Sequence, residues 1–288
     1  MDTLFVIFQH LVPHHLLSRC TGWLAQLRQP IWLKNWVIQR FVRHFKVNMA
    51  EAAEPDPARY ASFNDFFTRP LREGARQIGD ADIVCPADGA ISQMGRIQEN
   101  LLFQAKGRYF SAEELLGGDL ERAQLFYGGN FATIYLSPKD YHRVHMPVAG
   151  RLTATCYIPG RLFSVNGTTA QSVDRLFARN ERLVCYFETA AGPMAMILVG
   201  AMVVAGIETV WSGQVAPPPR LPATTDFLSL PEPVELAKGE EMGRFKLGST
   251  VILLFPKDAM SWDASCSAAS PTRLGEALGQ FNEGLSPP

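Results

Sequence analysis

Cysteine is scarce in this 288-residue chain, and the five present, Cys20, Cys85, Cys156, Cys185 and Cys266, form no CxxC pair and leave an odd number. That spacing argues against a disulfide scaffold or a cysteine-built zinc site and fits reduced thiols in a cytosolic compartment. Charge of one sign is lacking too. With 27 Lys+Arg against 28 Asp+Glu the net charge is −1, which argues against a nucleic-acid-binding surface spread over the molecule. No apolar run reaches the roughly 20 residues that a bilayer span requires. Asp2 stands where a secretory signal would place basic residues and Pro13 breaks the first apolar run, so no cleaved leader is expected. No internal repeat is found. What remains is a globular composition, 47% hydrophobic and 19% charged, with material for one large or two small domains.

The even charge balance hides an uneven distribution. Residues 1–50 carry Arg19, Arg28, Lys34, Arg40, Arg43 and Lys46 against Asp2 alone, and hold Trp23, Trp32 and Trp36, three of the five tryptophans. Ile31, Trp32, Trp36, Phe41, Val42 and Phe45, interleaved with the basic residues, suit short amphipathic helices lying in a lipid headgroup layer. The same spacing would serve two helices packed on a core; the tryptophan and arginine enrichment favours lipid. Residues 51–288 form the second expected unit. At its start Ser62, three residues before Asp65, marks the opening of a helix expected over Phe63–Leu71.

Short β-rich runs follow, at Ile83–Cys85, Ala90–Ile97, Phe131–Leu136, Leu152–Ile158, Leu183–Thr189, Met194–Val199 and Val203–Val210, with few helices after residue 120. The 14-residue apolar stretch Met194–Ile207 reads as two buried strands turning near Gly200, because it is short and broken by glycine. The fold class expected is α+β: a β-rich core of mainly antiparallel sheets behind N-terminal amphipathic helices.

Three segments carry candidate chemistry. Pro86-Ala87-Asp88-Gly89 alone reads as a hairpin turn. In Tyr141-His142-Arg143-Val144-His145-Met146-Pro147 the two histidines can act as acid and base, bind phosphate beside Arg143, or serve the structure; for metal ligation they lack a third ligand motif. The third segment, Gly243 to Thr250, runs into the apolar strand Val251 to Phe255. There the Ser249 hydroxyl could attack the Gly248 carbonyl, which a glycine leaves unshielded, and break the chain.

Leu247-Gly248-Ser249-Thr250 before an apolar strand, Tyr141 to Pro147, Pro86 to Gly89, and Phe177-Ala178-Arg179-Asn180-Glu181-Arg182 occur in one order. Together they resemble the bacterial, pyruvoyl-dependent phosphatidylserine decarboxylase family, over most of residues 1–260. The resemblance implies that Ser249 is the self-cleavage nucleophile, with His145 and Asp88 completing its triad. A serine hydroxyl needs a base for its proton, and an imidazole needs a carboxylate to fix its tautomer and stabilise its cation. An N-to-O acyl shift, β-elimination and hydrolysis would release ammonia and leave a β chain 1–248 and an α chain 249–288 capped by a pyruvoyl group. That covalent group would be the sole cofactor, forming a Schiff base with the substrate amine and accepting electrons as CO2 departs.

By the same resemblance the substrate is phosphatidylserine in an anionic membrane, the product is phosphatidylethanolamine, and His142 handles protons or substrate during decarboxylation. The β and α chains would form a heterodimer, with a further homodimer expected, held peripherally on the cytoplasmic side of the cell membrane; no metal and no nucleic acid are expected. Phe63, Phe66 and Phe67 read either as shelter for acyl chains or as core packing. Two other readings stand beside this one: a pyruvoyl decarboxylase of another serine-headgroup lipid or small amino acid, and an unprocessed lipid-binding protein.

Overall fold

The computed structural model describes residues 14–202, 206–215, 221–246 and 249–282. Two helices come first, α1 (His14–Gln26) and α2 (Ile31–Phe45), then a single turn and a half, α3 (Phe63–Phe67). Ser62 caps α3 as expected, its hydroxyl accepting from the Asp65 amide at 3.1 Å, but the helix stops at Phe67 instead of Leu71. Pro70 is the reason, since the residue before a proline is pushed out of the helical region. One face of α2 lies on α3: Ile38, Val47, Tyr60, Phe66 and Phe67 form a buried cluster, with Phe41, Phe45 and Phe63 at its margin. Phe66 and Phe67 are therefore core residues, each contributing about 1.5–3 kcal/mol by burial. The opposite face stays bare, with Trp23, Trp32 and Trp36 65%, 71% and 57% exposed.

The strands in chain order are β1 (Ile83–Val84), β2 (Gly89–Arg96), β3 (Leu101–Ala105), β4 (Arg108–Ser111), β5 (Asn130–Leu136), β6 (Arg143–His145), β7 (Gly150–Ile158), β8 (Arg182–Thr189) and β9 (Gly192–Gly200). They continue as β10 (Gly206–Thr209), β11 (Gly213–Gln214), β12 (Ala223–Asp226), β13 (Glu235–Leu236), β14 (Glu241–Lys246), β15 (Ser249–Phe255), β16 (Met260–Trp262), β17 (Pro271–Thr272) and β18 (Ala277–Phe281). The main sheet is antiparallel throughout, in the order β12-β7-β8-β9-β15-β5-β2-β17, with β13 also on β7. Smaller sheets, β11-β10-β14-β6 and β1-β18-β16, pack around it. The α+β expectation holds.

Both faces of the main sheet are buried, which explains why its strands read as continuous apolar runs. In β15, Val251, Leu253 and Phe255 enter one core while Ile252 and Leu254 enter the other. Met194–Val199 lies in β9 and the run does break at Gly200; the strand expected at Val203–Val210 is described only from Gly206, where β10 joins a different sheet. Pro86–Gly89 is not a hairpin. The strands it connects pair elsewhere, β1 with β18 and β2 with β5 and β17. Gly89 is required for close approach: a Cβ there would stand 2.2 Å from the Tyr135 carbonyl oxygen.

Candidate active site

One end of the main sheet collects the candidate residues. The antiparallel order places the end of β5, the start of β2, the start of β15 and the end of β9 side by side, with Ala90 opposite Tyr135 and Ser249 between Leu136 and Gly200. Asp88 immediately precedes β2, and the segment carrying His142 and His145 leaves β5. Main-chain bonds tie these pieces together: the His145 amide donates to the Pro86 carbonyl at 2.8 Å, and the Phe245 amide to the His142 carbonyl at 3.0 Å. Asp88, His142, His145 and the Ser249 backbone are thus brought to one place. Gly248 and the Ser249 side chain lie outside the described atoms.

Asp88 is a buried carboxylate with cationic support. Arg76 grips it with two nitrogens, Nε to Oδ1 at 3.0 Å and Nη2 to Oδ2, while the Leu274 amide donates to Oδ1 at 2.9 Å. Arg76 also donates to Glu51 at 2.8 Å, and Glu51 in turn receives Arg273 at 2.8 Å. Burial acts to lower the Arg76 pKa, but its hydrogen bonds to Asp88 and Glu51 outweigh it and the net direction is upward. A polar cavity of about 620 Å³ opens above this network, lined among others by Glu51, Arg76, Asp88, Lys139 and Arg273.

His145 is held by different partners. Its Nδ1 donates to the Gly239 carbonyl at 2.8 Å, which leaves Nε2 as the acceptor for the Tyr141 hydroxyl at 3.1 Å. Burial lowers its pKa, partly offset by the bond to Gly239, so the imidazole is neutral and basic at Nε2. In the uncleaved chain, therefore, the tautomer of His145 is set by a carbonyl and not by Asp88, whose carboxylate is occupied by Arg76. Arg143 between the histidines pairs with Glu241 at 2.7 Å and donates to the Thr68 carbonyl at 2.9 Å, so its role is to join β6 to β14 and α3.

His142 is fully buried, packed against Phe67 with ring centroids 4.0 Å apart and the planes tilted by 45°. Nδ1 donates to the Asp140 carbonyl at 2.8 Å, and Nε2 has no partner among the described residues. Burial drives its pKa down to about 3, so it carries a bare lone pair on Nε2 at any physiological pH. Among the described residues, no group of three or more His, Cys, Asp or Glu could hold a metal ion.

The fourth motif, Phe177 to Arg182, supplies scaffolding. Asn180 is completely buried; its Nδ2 donates to the carbonyls of Phe163 and Gly200 at 2.8 and 2.9 Å, and its Oδ1 accepts from the Phe163 amide at 3.0 Å. Gly200 is the backbone neighbour of Ser249, so this clamp fixes the strand against which β15 begins.

Arg76, Arg273, Tyr141 and Gly239 were not singled out from sequence. Arg273 and Gly239 lie in stretches without motif, while Tyr141 was visible inside the histidine motif.

With this geometry in hand, comparison with known proteins is decisive. A family model described as phosphatidylserine decarboxylase matches residues 63–280, and a second, described as PSD, matches residues 4–46. The chain belongs to the phosphatidylserine decarboxylase family. It is 58% identical over 282 residues to the phosphatidylserine decarboxylase proenzyme of Stutzerimonas stutzeri strain A1501, covering 97% of this chain and 95% of that one. Proenzymes of the same name from Azotobacter vinelandii strain DJ and Hahella chejuensis strain KCTC 2396 are 55% and 54% identical, each over 97% of this chain and over 98% and 94% of their own. Both the N-terminal helices and the β-rich core thus fall within stretches that the family models match.

Proposed function

We propose that this chain is a decarboxylase that converts phosphatidylserine to phosphatidylethanolamine and CO2 after cutting itself between Gly248 and Ser249. The observation that carries the reading is the convergence of Asp88, His142, His145 and the Ser249 backbone at one sheet end, in a chain of this family. Ser249 is the nucleophile, and His145 Nε2, once Tyr141 yields it, takes the hydroxyl proton. Asp88 stabilises the resulting imidazolium through its nearby charge. The residues present fit a pyruvoyl group derived from Ser249: His142 offers an orphaned nitrogen in a dry pocket at the same sheet end. Such a group supplies a carbonyl that withdraws electrons from the carbon losing CO2. His142 Nε2 accepts a substrate hydrogen bond there, and Phe67 shields it from water.

The exposed tryptophans of α1 and α2 support a peripheral anchor, which we assign to the cytoplasmic surface of the membrane. No described helix is long and apolar enough to cross a bilayer. The test is intact mass under denaturing conditions. Wild type should yield a fragment 249–288 with a ketone-bearing N-terminus, and Ser249→Ala a single full-length chain; normal cleavage of that variant would remove Ser249 from the role.

A further inference from the structure

A second polar cavity, of about 260 Å³, lies beside Asp88 and is lined by Lys46, Asn48, Arg69, Lys139, Asp140 and Tyr141 among others. Its acids are already occupied. Asp88 and Glu51 are bound by Arg76, and Asp140 turns back to accept from the amide and hydroxyl of Ser137 at 2.7 and 2.6 Å. Of its four cations, Arg76 is taken by those acids and the other three are not. Among the described residues no carboxylate pairs with Lys46, Arg69 or Lys139. Arg69 is the telling one, because it is only 3% exposed, donates through Nη2 to the carbonyls of Lys139 and Asp140 at 3.1 and 3.3 Å, and leaves Nη1 without a partner. A buried guanidinium without a counter-charge is costly. Burial accordingly pulls its pKa down.

An apolar groove is lined by residues close in the chain to those of the cavity. A groove of about 690 Å³ between α1 and α2 is lined by Leu24, Leu33, Trp36, Phe41, Phe45 and Phe63, among others. Phe45 lines the groove and the next residue, Lys46, lines the polar cavity. Phe63 and Arg69 repeat that relation from either side of α3. An apolar trough and a cationic cavity whose acids are occupied, carried by neighbouring stretches of chain and the latter beside Asp88, offer the two chemistries of a phospholipid.

We propose that Lys46, Arg69 and Lys139 form an anion subsite for the phosphodiester of the lipid substrate, with its glycerol side toward Phe45 and Phe63 and its headgroup toward Asp88. The inference deepens the decarboxylase reading and rests on it for the identity of the headgroup. Arg69 gains the counter-charge it lacks, and its grip on the Asp140 carbonyl, which also receives His142 Nδ1, ties lipid binding to the posture of His142.

The test is binding of dihexanoyl phosphatidylglycerol, a monomeric phosphodiester lipid without amine or carboxylate, to the full-length protein by calorimetry. Lys46→Ala/Lys139→Ala removes two exposed side chains without touching the core, and Arg69→Gln removes the buried charge. The double variant should weaken binding about tenfold, as two charge-assisted contacts warrant, and Arg69→Gln at least as much, with inorganic phosphate at equal concentration failing to displace the lipid. Unchanged affinity in the double variant, or displacement by inorganic phosphate as effective as by lipid, would overturn the assignment. The same preparations are assayed for CO2 release from dihexanoyl phosphatidylserine. Lipid binding that obeys the variants, in wild-type protein that releases no CO2, would retain the subsite and sink the decarboxylase reading instead.

Discussion

His142 illustrates how one residue's surroundings decide its chemistry. A lone histidine in a sequence titrates near 6.5, but here burial against Phe67 holds the folded-state value at about 3. An unfolded chain binds a proton to this ring below pH 6.5, whereas the native chain refuses it until pH nears 3. The stability that the neutral ring represents is complete above pH 6.5 and is lost as pH falls between those values. Across that window unfolding takes up one proton, so stability falls by about 1.4 kcal/mol per pH unit from this site. Thermal unfolding followed from pH 7 to 4 should show a shallower decline for His142→Gln than for wild type; parallel curves would mean that the ring is already solvated in the native state. The motif made both histidines visible in the sequence. Their division of roles was not, because it depends on a carbonyl 94 positions along the chain, that of Gly239, and on the hydroxyl of Tyr141.

Elements give the same contrast between local and distant causes. The cap at Ser62 and the apolar β15 follow from neighbouring residues and were legible. The role of Pro86–Gly89 was misread as a hairpin because nothing local tells that β1 finds its partner in β18, almost 200 residues away. The segment from Ser270 contributes two strands and the Leu274 amide that holds Asp88, none of which a local motif announces. Asn180 is the element-level hinge of the site, since one side chain joins the Phe163 loop to the end of β9. Asn180→Ala would leave two carbonyls and one amide in the interior without their partner, costing about 2–4 kcal/mol. Denaturant titration measures that loss. Because Gly200 also borders Ser249, the variant should self-cleave more slowly at temperatures where it remains folded, and cleavage at the wild-type rate would show that the clamp serves stability alone.

At the scale of the molecule, two features of the architecture bear on how it works on a membrane. The first is that the segment 249–288 is not an appendage. β15 is the central strand between β9 and β5, while β17 and β18 complete two sheets at β2 and β1. Cutting before Ser249 therefore frees a chain end without freeing a chain, and the two products should co-elute as one species in gel filtration, separating only in denaturant. Elution as separate species in native buffer would contradict the sheet order.

The second feature is that the N-terminal helices face two ways. α2 is pinned to the core by Ile38, which is wholly buried, and by Lys34, whose ammonium donates to the carbonyls of Ala58 and Tyr60. Truncating the first 50 residues would thus strip part of the core along with the anchor. A cleaner probe leaves that face intact and alters the other: Trp23, Trp32 and Trp36, all more than half exposed, contribute little to folding and, in the proposed docking, give their indoles to lipid. Replacing the three with serine should keep the thermal midpoint within a few degrees, as surface changes of about 0.5 kcal/mol each allow. Partitioning into anionic vesicles should meanwhile fall by at least tenfold, because each interfacial tryptophan adds apolar area to the bound state. Flotation with such vesicles measures this directly. If the variant floats as wild type does while remaining folded, the bare face of α1 and α2 meets something other than lipid, and the basic residues that share those helices lose their reason for being there.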